Sequence, residues 1–135
     1  MIPFGDELFL LGRVLYGGLF IYNGYNNLTN PKMVGYADRH DVPAPAVLTR
    51  LAGATILLGG LGIVLGAFTV LSSAAIVVFL VVASPLIHDY WNRPEDERVG
   101  QFNHFTKNLA LAGGGLAFLA MSGAPWAYAL NVGLF

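Results

Sequence analysis

Apolar residues run through this chain in long blocks broken by only three short polar or glycine-rich connections. Residues 7–27, 44–66, 68–90 and 102–121 are each dominated by Leu, Val, Ile, Ala, Phe and Gly. A helix rises about 1.5 Å per residue and the hydrocarbon core of a bilayer is about 30 Å thick, so about 20 such residues make one crossing. The break at Gly66, Ala67, Phe68 and Thr69 is the faintest, and it resolves an apolar run too long for one helix into a hairpin. The pattern predicts an all-α fold: a four-helix transmembrane bundle, antiparallel up-down-up-down, with residues 1–135 forming a single integral membrane domain. Beyond Gly123 and Pro125 the tail 124–135 is too short to span, and Trp126 with Tyr128 reads as an interfacial anchor.

Composition supports lipid as the main solvent, because 56% of the residues are hydrophobic and 11% are charged, outside the ordinary range of soluble domains. Met1 to Gly5 lacks the basic region and small-residue cleavage site of a secretory signal, so the first helix is expected to remain as an anchor. Cysteine is absent, which removes disulfides, thiolate metal sites and thiol redox catalysis together. No basic run points to nucleic acid. Orientation follows from the cations: Lys32, Arg39 and Arg50 lie in or beside the first connection, and Arg93, Arg98 and Lys107 in or beside the third. Positive residues stay inside, so both longer loops are expected in the cytoplasm and both termini outside the cell membrane.

Helices in lipid pack with little hydrophobic drive, and small residues that allow close backbone approach become valuable. Gly12, Gly17, Gly18 and Gly24 punctuate the first helix, Gly53, Gly59, Gly60, Gly62 and Gly66 the second, and Gly113 to Gly115 the fourth. Pro43 and Pro45 suit the entry to the second helix, and Pro85 is placed to kink the third beside His88.

Polar residues inside the spans carry the functional information, since lipid does not tolerate them without a partner or a cavity. Arg13 is the deepest charge: it either snorkels outward past Asp6 and Glu7 or is buried in a site. Gly17, Phe20, Asn23, Gly24 and Asn27 follow it along one helix face. At the other end, His88 and Asp89 close the third helix, while Asn103, as a capping residue, and His104, Lys107 and Asn108 open the fourth. Antiparallel neighbours joined by a short connection are expected to bring His88 close to His104, with Asn23, Asn26, Asn27 and Lys32 arriving from the first helix at the same depth.

The expected result is a polar pocket under the cytoplasmic head groups, with His88, His104, Lys107, Asn108, Asn23 and Arg13 as candidates for binding a quinone or a lipid head group. Amide and ammonium groups donate hydrogen bonds to carbonyl oxygens, and imidazole exchanges protons near neutral pH. Haem is not expected, because its axial histidines normally lie well inside a bundle. A metal is not expected either, because no HxxxH or HExxH spacing occurs, and no flavin, nicotinamide or iron–sulfur motif is present.

The run Gly12, Arg13, Val14, Leu15 and Gly17, followed by Tyr22, Asn23, Gly24 and Lys32, resembles the first-helix signature of the DoxX family of small four-helix membrane proteins. Leu57 to Gly66 resembles that family's second helix, with Ala54, Thr55 and Ile56 standing where an acidic residue often precedes the double glycine. His104, Phe105, Lys107, Asn108, Leu109 and Gly113 to Gly115 resemble its fourth helix. Ser122, Gly123, Pro125 and Trp126 resemble its tail, with Leu130 and Asn131 where Leu-Asp is usual. The resemblance implies a role near quinone-linked electron transfer, as a small subunit of a membrane redox or respiratory complex. Two functions are carried forward. One is a quinone-interacting subunit; the other is a non-enzymatic accessory subunit that holds lipid and packs, through its glycine faces, against other membrane subunits or a second copy of itself.

Overall fold

The structure, a computed structural model, describes residues 2–133; residues 134 and 135 of the predicted tail lie outside the described residues. It is all-helical, with α1 (Gly5–Thr29), α2 (Pro31–Arg39), α3 (Pro45–Leu65), α4 (Thr69–Ile87), a 3₁₀ turn (Tyr90–Asn92) and α5 (Glu95–Met121). Two of these are long and apolar enough to cross a membrane by length and composition alone: α3, and α4 with its continuation to Asn92. α1 carries Arg13, Asn23, Asn26 and Asn27, and α5 opens on a charged segment, so both are more polar than their neighbours.

Two stretches predicted as connections are helical. In the first, the Asn30 side chain accepts a hydrogen bond from the Lys32 N–H, and Pro31 follows at the first helical position, where its missing N–H costs nothing. The same residues that read as a break from α1 thus start the amphipathic α2. In the second, α5 begins at Glu95, with Glu95, Asp96 and Glu97 in its first turn facing the positive end of the helix dipole. Asn103 therefore does not cap the helix; it lies well inside α5 and is exposed.

The long helices pack against their neighbours in antiparallel fashion. Between α1 and α3, Gly17 meets Gly60 and Gly24 meets Gly53, so the residue numbers fall on one helix as they rise on the other. A Cβ on Gly24 would lie 2.6 Å from the Gly53 carbonyl oxygen and 2.7 Å from the Leu57 nitrogen, and one on Gly60 would lie 2.6 Å from the Gly17 oxygen. Only glycine permits that approach. Between α3 and α4, Gly59 sits against Ser72 and Ile76; between α4 and α5, Val77 packs on Gly115. Phe20, Ile56, Ile63, Ile76, Leu80 and Ala112 form the central core, flanked by Tyr16, Phe79, Leu111 and Phe118. Leu15, Leu58, Leu71, Val78, Leu109 and Leu116 point outward and are exposed, as a protein with lipid around it requires.

At the end holding the α3–α4 turn, α3 stops at Gly66 in the left-handed region, φ 64°, with its N–H bonded to the Gly62 oxygen. The tail folds back onto this turn. Leu130 and Asn131 donate backbone N–H bonds to Leu65 and Gly66, and Phe68 donates one to Val132. Trp126 corrects the expectation of an interfacial anchor: it is only 4% exposed, packed edge-on to Phe9 and beside Phe118, with its ring N–H donated to the Met121 oxygen.

Candidate functional site

The polar residues singled out from the sequence separate into two groups at opposite ends of the helices. At the end holding α2 and the 3₁₀ turn, a cavity of about 870 Å³ opens between α1, α3, α4 and α5. Its length is apolar, with Phe20, Ile56, Phe79 and Leu111 among its walls. Asn23, Asn26 and Asn27 of α1, His88 after α4, and Lys107 and Asn108 of α5 supply its polar groups, and Met33, Tyr36 and Ala37 of α2 lie over it. Asn108 is 8% exposed, a buried amide on the cavity wall. The spacing of Lys107 and Asn108 on α5 and the end position of His88 on α4 turn all three toward the same space.

His104 contributes differently. Its ring stacks on that of His88, centroids 5.0 Å apart and planes inclined by 24°, so the two imidazoles do meet, but His104 lies behind His88 and does not line the cavity. Lys32 also stays outside the wall.

The sequence reading passed over Gln101 and Tyr36, because the segment before residue 102 looked like a loop and α2 was not seen as a helix. Gln101 donates its side-chain N–H to the Tyr36 hydroxyl at 3.0 Å, and its oxygen lies 2.8 Å from His88 Nδ1. A continuous polar contact thus joins α2, α5 and the end of α4. A signal was present in retrospect: Gln101, His104, Lys107 and Asn108 share the i, i+3, i+6, i+7 spacing of one helix face.

Arg13 stands apart from the cavity. It is fully buried at the far end, where Nε donates to the Ile63 oxygen at 3.0 Å and Nη1 to Ala127 at 2.7 Å. Nη2 donates to Val64 at 2.7 Å and to Tyr128 at 3.1 Å. The guanidinium lies 5.3 Å from the Trp126 ring centroid and 5.8 Å from that of Phe9, within cation–π reach. Ile63 and Val64 belong to the last turn of α3, whose carbonyls have no partner within the helix, so Arg13 satisfies a helix C-terminus and its dipole from the side. Neither snorkelling nor head-group binding describes it: it joins α1, α3 and the tail.

Just outside the cavity, His40 stacks on Tyr36 with centroids 4.4 Å apart, and its Nδ1 lies 3.8 Å from Asp89 Oδ1 without a hydrogen bond. Asp89 is instead held by Arg93 at 2.7 Å. Burial pushes the His40 imidazole below its ordinary pKa; Arg93 and Arg39 push the same way, and Asp89 and Glu97 oppose them. With the folded pKa below the unfolded value of about 6.5, the unfolded chain takes up the proton first. His40 therefore adds no pH dependence well above 6.5 and lowers stability as the pH falls below it. Thermal unfolding in detergent is expected to show a midpoint that falls between pH 7 and pH 5, with a shallower fall in His40→Gln. An identical slope in the two proteins would refute the assignment.

Among the described residues no group of three or more His, Asp or Glu side chains is arranged to hold a metal ion. The cavity's nitrogen-bearing polar groups are amides, an ammonium and an imidazole, a set suited to oxygen-bearing head groups. No curated protein and no solved structure matches the chain. The DoxX family model matches residues 8–89, the stretch that includes Arg13, the α1–α3 glycine crossing and all of α4. With that match over more than half its length and two helices able to cross a bilayer, the chain is a small membrane protein belonging to the DoxX family.

Proposed function

We propose that this protein is a quinone-interacting small subunit of a membrane redox complex, with the head group held among His88, Lys107, Asn108 and Asn23 and the isoprenoid tail lying along the apolar part of the cavity. The observation that carries this reading is the cavity's polarity: amide, imidazole and ammonium side chains cluster at one end, and most of the remaining wall is aliphatic and aromatic, with Thr49 and Thr55 as its hydroxyl groups. Its volume, about 870 Å³, suits a small-molecule site, for which about 300–1,000 Å³ is usual. In this reading α1 and α5 cross the membrane with α3 and α4 as a four-helix bundle. The α2 end, which carries Lys32, Arg39, Arg93 and Arg98, faces the cytoplasm, with the termini outside.

The accessory-subunit reading drew on glycine faces as docking surfaces. Gly17, Gly24, Gly53 and Gly60 are already taken up within the chain, between α1 and α3, which leaves Gly12, Gly18 and Gly113 as the open glycines of those faces for such a contact.

The test is gentle purification from quinone-containing membranes, followed by extraction and counting of quinone per protein. Lys107→Ala is expected to lower retention by up to roughly a hundredfold in affinity and Asn108→Ala by about two- to tenfold, the range for losing a charged or a neutral hydrogen bond. The helix content should persist in both. Quinone retained equally in both variants, or phospholipid alone in the wild type, would move the conclusion to the accessory subunit.

A further inference from the structure

Gln101 makes its two hydrogen bonds with opposite ends of one amide. Its nitrogen donates to the Tyr36 hydroxyl, so its oxygen is the atom presented to His88 Nδ1 at 2.8 Å. An amide oxygen only accepts, so the partner nitrogen must carry the proton. A neutral imidazole has one N–H, and with that proton on Nδ1 the other nitrogen, Nε2, is left as an acceptor. No hydrogen bond within the described residues engages Nε2, and it is not among the buried unpartnered atoms, while the ring lines the cavity. Stacking against His104 and the anchoring of Gln101 by Tyr36 from α2 keep the ring in that pose.

The consequence concerns which oxidation state of the ligand fits. A quinone carbonyl oxygen only accepts, so opposite Nε2 it would set two acceptors against each other. A quinol hydroxyl donates to Nε2 and still accepts from Lys107 or Asn108. We propose that Gln101 is a positioning residue that fixes the His88 tautomer, and that the site thereby selects a hydroxyl-bearing head group, a quinol, over the corresponding quinone. This inference rests on the quinone-site reading above and adds the preference for the reduced form and the residue that sets it.

Two measurements on the full chain test it. In the purified protein, ¹⁵N-histidine NMR, with His88 identified by the resonance missing from His88→Gln, is expected to show a protonated Nδ1 and an unprotonated Nε2. Gln101→Leu is expected to mix the tautomers, and Gln101→Glu, which keeps an acceptor at the same place, to preserve them at a pH above the imidazole's titration, where the carboxylate does not draw a second proton onto Nε2. A proton on Nε2 in the wild type would overturn the proposal. The second measurement is binding of a decyl-tailed benzoquinone and of its chemically reduced quinol. The wild type is expected to favour the quinol by about tenfold, the scale of one neutral hydrogen bond. That ratio should fall toward unity in Gln101→Leu and be rescued in Gln101→Glu. Equal binding of both forms by the wild type, or a Gln101→Leu loss that leaves the ratio intact, would overturn the selection while leaving the quinone site standing. Binding of neither form would overturn the quinone reading and this inference with it.

Discussion

Arg13→Met is expected to be the most destabilising single change in the chain, costing about 3–5 kcal/mol, the range for breaking a buried charged hydrogen-bond network. Methionine fills much of the same volume, so the loss falls on the four carbonyl oxygens, of Ile63, Val64, Ala127 and Tyr128, that Arg13 now satisfies. Arg13→Lys should recover little, because one ammonium cannot reach four acceptors arranged around a planar fork. The local effect is expected at the tail, whose hold on the turn after α3 runs partly through Arg13. In a Trp91→Phe background Trp126 is the only tryptophan, and its emission should shift to the red as the ring leaves its buried place against Phe9 and Phe118. Unchanged thermal stability with unchanged Trp126 emission would show that the clamp carries no weight.

Gly24→Ala is expected to come next, and to act by steric conflict. The new methyl would stand 2.6 Å from the Gly53 oxygen and 2.7 Å from the Leu57 nitrogen. Both are backbone atoms of a helix, so α3 as a whole must move away from α1. Overpacking of this kind typically costs about 1–3 kcal/mol, and the rigid obstacle puts this case at the upper end. Gly60→Ala, facing the Gly17 oxygen, should behave alike. Gly12→Ala and Gly18→Ala have nothing within 4 Å of the added carbon, and the better helix propensity of alanine, about 1 kcal/mol, should leave them neutral or stabilised. Thermal denaturation of the four variants in one detergent decides the matter: equal effects across the set would mean that the close crossing is not a tight one. The cavity also depends on this crossing, since Asn23 and Asn27 of α1 flank Gly24 along the wall facing α3.

The long helices were legible in the sequence because their apolar runs exceed anything a strand or loop would hold. The meeting of His88 and His104 was legible because a short connection between antiparallel helices leaves few other arrangements. α2 was not, since Asn30 and Pro31 serve equally as the end of one helix and the start of another, and nine residues are too few for periodicity to decide. Gln101 was hidden for a related reason. The acidic opening of α5 reads as loop by hydropathy, and only its place in the first turn reveals it as favourable to a helix. The role of Arg13 was beyond reach altogether: its partners are main-chain oxygens, which every residue type possesses, so no pattern of side chains announces them.

The Arg13 contacts also set a schedule for biogenesis. Two of its acceptors lie 50 and 51 residues ahead of it and the other two 114 and 115 residues ahead, so during translation the guanidinium is made long before the groups that neutralise its cost. At about 5–20 residues per second, roughly ten seconds separate the synthesis of Arg13 from that of Ala127 and Tyr128. In the proposed four-span arrangement α1 has to wait in or beside the insertion machinery with an unsatisfied cation, worth about 3 kcal/mol against entry into lipid. In that arrangement stable seating of the first helix waits until all five helices have been made, and it is completed by Ala127 and Tyr128, which follow them in the chain.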